Sequence, residues 1–194
     1  FFITTDSGAN WSVITAGLPT TSGRLAIATT AANTSYVYVL SATTGNGFQG
    51  VYRSINSGNS FIAMNTTTDI FESTQAWYDM AIAASQTNAN EIVTGVLNLW
   101  KSTNGGSSFT QLNSWSSPSA SAYTHADIHY LKYYGGNLYC GSDGGIYQST
   151  NSGNDFADLS DGLQIGQFYR IGGSQNDVNT ISGGLQDNGG YVLK

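Results

Sequence analysis

Apolar residues come along this chain in short runs, each closed by Gly, Ser, Thr, Asn or Pro. The runs fall in a steady order: 25–28, 36–40, 49–54 and 61–64, then 77–84, 91–97, 99–102 and 109–112, then 128–134, 137–141, 146–149 and 156–159. A shorter run at 11–14 precedes the series, and runs at 167–171, 180–185 and 191–194 follow it. Runs of roughly four to eight residues, rich in Val, Ile, Tyr, Phe and Thr and bounded by turn formers, read as strands. No stretch carries a sustained helical period with capping residues. The pattern predicts an all-β chain.

A phrase of eight residues sets the period. It occupies 4–11, 54–61, 102–109 and 149–156, and its third position is Asp6, Asn56, Asn104 or Asn151, spaced 50, 48 and 47 residues apart. A fixed period near 50 residues marks a repeat architecture, and four antiparallel strands per period is the arithmetic of a β-propeller blade. The blades expected are 23–70, 71–118 and 119–164, with partial blades at 1–22 and 165–194. Propellers close with about four to eight blades. The ring is therefore expected to draw on further blades or domains of a longer polypeptide, or on a partner, unless 1–3 complete a four-bladed closure. The chain opens inside a repeat, which predicts a piece of a longer, processed protein.

Composition narrows the partners. Only 9% of residues are charged and the net charge is −6, which argues against nucleic acid or an anionic membrane surface, since both need clustered Lys and Arg. Cys140 is the single cysteine, so no disulfide forms within the chain. No apolar run reaches transmembrane length.

The phrase has a local logic. Asp or Asn in a tight turn accepts hydrogen bonds from amides two or three residues on. Gly8, Gly58, Gly106 and Gly153 are free to adopt a positive φ. The closing aromatic, Trp11, Phe61, Phe109 or Phe156, is expected to tuck between strands. The pattern resembles the Asp-box, or BNR repeat, of sialidases, sortilins and related propellers. Asn replaces the usual Asp in three copies, keeping the acceptor and losing the charge, so the boxes read as scaffold rather than chemistry.

Polar chemistry gathers after residue 124. His125, Asp127 and His129 stand at i, i+2 and i+4, which on a strand puts them on one face. Two imidazoles and a carboxylate suit a divalent metal, an acid/base pair, or hydrogen bonds between blades. Further on come Gly-Ser-Asp143-Gly-Gly-Ile-Tyr147, then Gln167-Phe-Tyr169-Arg170, then Leu-Gln186-Asp187-Asn188-Gly-Gly. This last third is similar to the large propellers of bacterial secreted proteins, to xyloglucan-cleaving glycoside hydrolases and to the ligand-binding domain of sortilin. The hydrolase resemblance nominates Asp143, Asp187 and Asp127 as an acid/base set, with opposed carboxyls roughly 6.5 to 9.5 Å apart for inversion. A turn aspartate beside Gly is the plainer reading of Asp143 and Asp187. Gln167, Tyr169, Gln186 and Asn188 are candidate ligand contacts. Trp77, Tyr78, Trp100, Trp115, Tyr123, Tyr133 and Tyr134 are candidates to line a sugar-binding cleft by stacking, although most alternate with apolar residues and fit core and inter-blade packing more simply; Trp115, with Tyr123 from the same loop, is the expected stacking platform.

The reading that follows is a secreted or cell-surface propeller module of a larger exoprotein, binding glycan or protein. A xyloglucanase-like hydrolase and a sortilin-like peptide binder are the alternatives.

Overall fold

The computed structural model describes residues 1–163, 166–187 and 189–193, and all regular structure among them is strand. No helix of the described residues is long and apolar enough to cross a membrane. The chain divides into two units, Phe1–Leu159 and Ser160–Lys194.

In the first unit, β1 (Phe2–Ile3) pairs antiparallel with β2 (Ser12–Val13) across the first phrase. Three four-stranded antiparallel meanders follow. The first is β3 (Arg24–Thr29), β4 (Val37–Ala42), β5 (Phe48–Ser54) and β6 (Ile62–Asn65); the second is β7 (Ala81–Ala84), β8 (Ile92–Gly95), β9 (Leu99–Ser102) and β10 (Thr110–Gln111). The third is β11 (Ile128–Tyr134), β12 (Asn137–Ser142), β13 (Gly145–Ser149) and β14 (Ala157–Asp158). Each sheet keeps its strands in chain order, and each later phrase turns the third strand into the fourth. In the second unit, β15 (Phe168–Gly173), β16 (Ile181–Leu185) and β17 (Gly190–Leu193) form a three-stranded antiparallel sheet.

Side chains alternate across a strand, and β7 uses both faces. Ile82 and Ala84 join Tyr38, Leu40 and Val51 of the first sheet, with Ile70, Phe71 and Ile92, in one core cluster. Ala81 and Ala83 join Val93, Leu99, Ile128, Leu131, Leu138 and Cys140 in another. Alanine at three of the four β7 positions lets sheets approach from both sides, because no long side chain holds them apart. The opening strands stand together, β7 lying against both β3 and β11. At the far end of β8, Gly95 leaves room for Ile128, whose methyl would stand 2.7 Å from any added Cβ. Ile128 N then donates to Val96 O at 2.7 Å, fixing where β11 begins.

All four phrases build one turn. The Ser or Thr at the first position accepts the amide of the glycine, as in Gly58 N to Ser54 Oγ at 2.9 Å, and likewise Gly8 to Thr4, Gly106 to Ser102 and Gly153 to Ser149. Two consecutive left-handed residues precede the exit: Ser7–Gly8, Ser57–Gly58, Gly105–Gly106 and Ser152–Gly153. The third-position oxygen accepts the amide four residues on, not two or three as expected: Asn10, Ser60, Ser108 and Asp155. The nearer amide, at Asp6, Asn56, Asn104 or Asn151 itself, is taken by the Ser or Thr hydroxyl. Phe61 is buried, and Phe109 and Phe156 pack against core clusters. Trp11 differs from the expectation and is exposed: it leads into the two-stranded β1–β2 pair, where its ring rests beside Gly8 instead of between sheets.

Candidate functional site

Three segments of the first unit converge. The first is the loop before β7. Its anchors are Ile70, Phe71, Ala76 and Met80, all buried. Ala76 O accepts from Arg24 Nη1 at 2.9 Å, and Ala76 N donates to Asn46 O at 3.2 Å. Amides of Tyr78 and Asp79 both donate to Gln75 O, at 2.8 and 3.3 Å, which closes a tight turn. That turn sends Trp77 and Tyr78 outward and Asp79 inward: Trp77 is 68% exposed and Asp79 0%. The second segment enters β11, with Asp127 at φ 63°. The third is the hairpin between β12 and β13, where Asp143 N donates to Asp127 O at 3.3 Å.

The side chains form one network. Tyr78 Oη donates to Asp143 Oδ2 at 2.8 Å, and His129 Nε2 lies 2.6 Å from Asp143 Oδ1. The Tyr78 ring meets the His129 ring edge-on at 4.7 Å and the Trp77 ring at 5.5 Å. Gln75 Nε2 donates to Asp79 Oδ2 at 3.0 Å and also to Asp127 Oδ1. Carboxylate oxygens of Asp127 and Asp143 come within 4.8 Å of each other. Burial first, and then the Asp127 carboxylate, raise Asp79 to about 6 against the lowering pull of the Gln75 hydrogen bond. Asp79 Oδ1 is buried with no hydrogen-bond partner among the described residues.

The aligned His125–Asp127–His129 face does not form, because the strand starts only at Ile128. Asp127 is left-handed and the β11–β12 register shifts between Ile128 and Tyr130, so the two-residue alternation is broken on both sides of the aspartate. The His125 side chain packs over Gly144, where an added Cβ would stand 2.2 Å from its own Cβ, and its Nδ1 lies 3.2 Å from Ala126 O. His129 turns to Asp143. Tyr123 leaves Trp115 and packs edge-on against Tyr147 at 6.2 Å in the second core cluster. Trp115 stands exposed in its turn, held by the hydrogen bond that its backbone N–H donates to Asn98 Oδ1 at 2.8 Å.

Asp187 takes the corresponding turn of the second unit's sheet, between β16 and β17, at φ 57°, with Gln186 Nε2 donating to its Oδ2 at 2.7 Å. Gln167 O accepts from Gln186 N at 2.8 Å, and the side chains of Gln167 and Tyr169 are exposed. Asn188 lies outside the described residues.

Gln75 and Asp79 escape the sequence reading, whereas Trp77 and Tyr78 stand in it among the aromatics open to stacking, behind Trp115. The available signal was an acid inside the run Trp-Tyr-Asp-Met-Ala, where a strand with two buried faces has no place for a charge.

No protein-family model matches the chain, and no curated protein does either. Solved structures do. An ancestral GH74 enzyme superposes with a TM-score of 0.56 at 21% identity, over 95% of this chain and 24% of that one. The GH74 xyloglucanase from Xanthomonas campestris gives 0.55 at 16% identity, over 86% and 28%. YCF48 bound to D1 peptide gives 0.50 at 14% identity, over 86% and 50%. The chain thus spans about a quarter of the length of the two GH74 proteins. At these identities the likeness is one of fold: the four-stranded sheets are blades of a β-propeller.

Proposed function

We propose that this chain is part of an exported Asp-box propeller that binds glycan chains, with Trp77 and Tyr78 as the stacking platform and Asp143 and His129 as its polar side. The exposed Trp77–Tyr78 pair carries this reading. An indole presented to solvent beside a tyrosine whose hydroxyl is fixed on a carboxylate offers an apolar face for a sugar ring, with hydrogen-bonding groups at its edge. The anchored backbone beneath it keeps the platform from collapsing when empty, which lowers the ordering cost of binding. The proximity of Asp127 to Asp143 supports binding over cleavage, since an inverting pair leaves roughly 6.5 to 9.5 Å for its water. GH74 neighbours make β-glucans the first ligands to try.

Calorimetric titration with soluble xyloglucan and cello-oligosaccharides tests this. The chain is expected to bind at least one of them, and Trp77→Ala to weaken binding at least about ten-fold, the loss of one stacked ring worth about 1.5 kcal/mol. Binding unchanged in Trp77→Ala removes the platform. Release of reducing ends by the chain, lost in Asp143→Asn, replaces the binding reading with the hydrolase.

A further inference from the structure

We propose that Asp79 is a proton latch beneath the aromatic platform: neutral, it holds the 75–79 turn that presents Trp77 and Tyr78, and ionised, it loosens that turn. As regulation of the binding site the latch rests on the glycan reading; as a switch in the turn it does not. Asp79 is fully buried and follows directly on Tyr78. Its Oδ2 accepts from Gln75 Nε2 at 3.0 Å, while its Oδ1 is buried with no hydrogen-bond partner among the described residues. A buried carboxylate needs donors or a counter-charge at its oxygens. One bond from a neutral amide leaves half of this one unmet. The protonated acid carries no net charge, so the same setting is far less costly for it.

The charges around it tilt the same way. Burial, and then the Asp127 carboxylate, raise Asp79 to about 6, against the Gln75 hydrogen bond and the charge of His129. Asp143, on the β12–β13 hairpin, is held by His129 at 2.6 Å. Arg24 of β3 donates to Ala76 O, and Glu72 of the same loop accepts from Asn98 Nδ2 at 2.6 Å, so both are bonded elsewhere. Gln75 links the acid to the platform: its carbonyl accepts the Tyr78 and Asp79 amides, and its side-chain nitrogen donates to both Asp79 and Asp127. A charge on Asp79 draws water to Oδ1 and repels Asp127, and both effects pull on Gln75 and the turn it closes. Neutral Asp79 thus contributes stability that is fully present below about 3.8 and lost as pH rises through about 6.

Carbon-detected NMR follows the Asp79 carboxyl directly. It is expected to titrate near pH 6, with the Trp77 indole and Tyr78 ring resonances moving at the same midpoint. Asp79→Asn is expected to abolish that step at Trp77, and His129→Gln, which removes the imidazole of the network, to keep it. The unfolding midpoint of the unaltered chain is expected to fall relative to that of Asp79→Asn as pH is raised from about 4 to about 7.5. Affinity for xyloglucan or cello-oligosaccharide is expected to drop up to about ten-fold between about pH 5 and about pH 7, because the neutral fraction of a group titrating near 6 falls from about nine-tenths to about one-tenth. Absence of glycan binding at every pH overturns the binding reading and not the latch, which the resonances decide. An Asp79 carboxyl already ionised at about pH 4, or a Trp77 step that survives in Asp79→Asn or vanishes in His129→Gln, overturns the latch.

Discussion

At the scale of single residues, the four turns solve one problem with different chemistry. The third position must accept the amide four residues on, and its second polar atom must suit the side chain there. Asp6 meets the donor Asn10, at 2.6 Å. Asn56 and Asn104 donate to the hydroxyls of Ser60 and Ser108, and Asn151 donates to the carboxylate of Asp155. The exchange of Asp for Asn is therefore matched to its partner. It follows that Asn151→Asp sets two carboxylates against each other and lowers the unfolding midpoint at neutral pH, the deficit shrinking in acid. Asn56→Asp, facing a hydroxyl able to donate, leaves the midpoint nearly unchanged. Equal effects of the two changes contradict the matching.

Asp6 itself reports on pH. The Asn10 amide, and then the Asn10 and Thr4 side chains, lower it from 3.8 to about 2. A carboxyl held below its ordinary value contributes stability that is present above about 3.8 and lost as pH falls through about 2. Asp6→Asn is expected to flatten that part of the stability profile, as followed by denaturation across the acid range.

At the scale of elements, alternation made the strands legible. The runs at 99–102 and 128–134 coincide with β9 and β11, and most others differ by a residue or two. What alternation carries no trace of is a turn fixed from outside. The 77–84 run begins as loop, because Arg24 and Asn46 hold Ala76 and bring Gln75, Tyr78 and Asp79 out of strand geometry. Asp127 likewise takes its left-handed backbone where the next hairpin bonds to its carbonyl. Candidate-site residues thus lay in readable positions, but their conformations belong to contacts between blades.

One such contact is testable. A methyl at Gly95 would meet Ile128 Cγ2 at 2.7 Å and Cβ at 2.8 Å. Ile128 is fully buried and its amide is held by Val96, so it has little room to retreat. Gly95→Ala is expected to cost about 1–3 kcal/mol, the usual penalty for overpacking, and to shift the start of β11 and with it Asp127. Chemical denaturation measures the first effect. If stability is unchanged, the close approach of β8 to β11 is not what seats the site.

At the scale of the whole molecule, stability is unevenly distributed. All three core clusters belong to the first unit. Within it the second strand of each meander is hydrogen-bonded to a neighbour on either side: β4 is buried at every position, β8 likewise, and β12 has Leu138 and Cys140 at 0% exposure. These strands are paired on both edges and covered on their faces, so their amides open only with the unit as a whole. In the second unit the strands β15 and β17 are exposed throughout, and no described residue is buried. A three-stranded sheet without a buried face has little to hold it beyond its own ladder. Native-state hydrogen exchange is thus expected to show amides of β4, β8 and β12 as the slowest and those of β15–β17 exchanging far faster, by local opening. Protection of β16 equal to that of β8 would mean that this sheet shares the cooperative unfolding of the first unit, and that its burial has a source other than its own side chains.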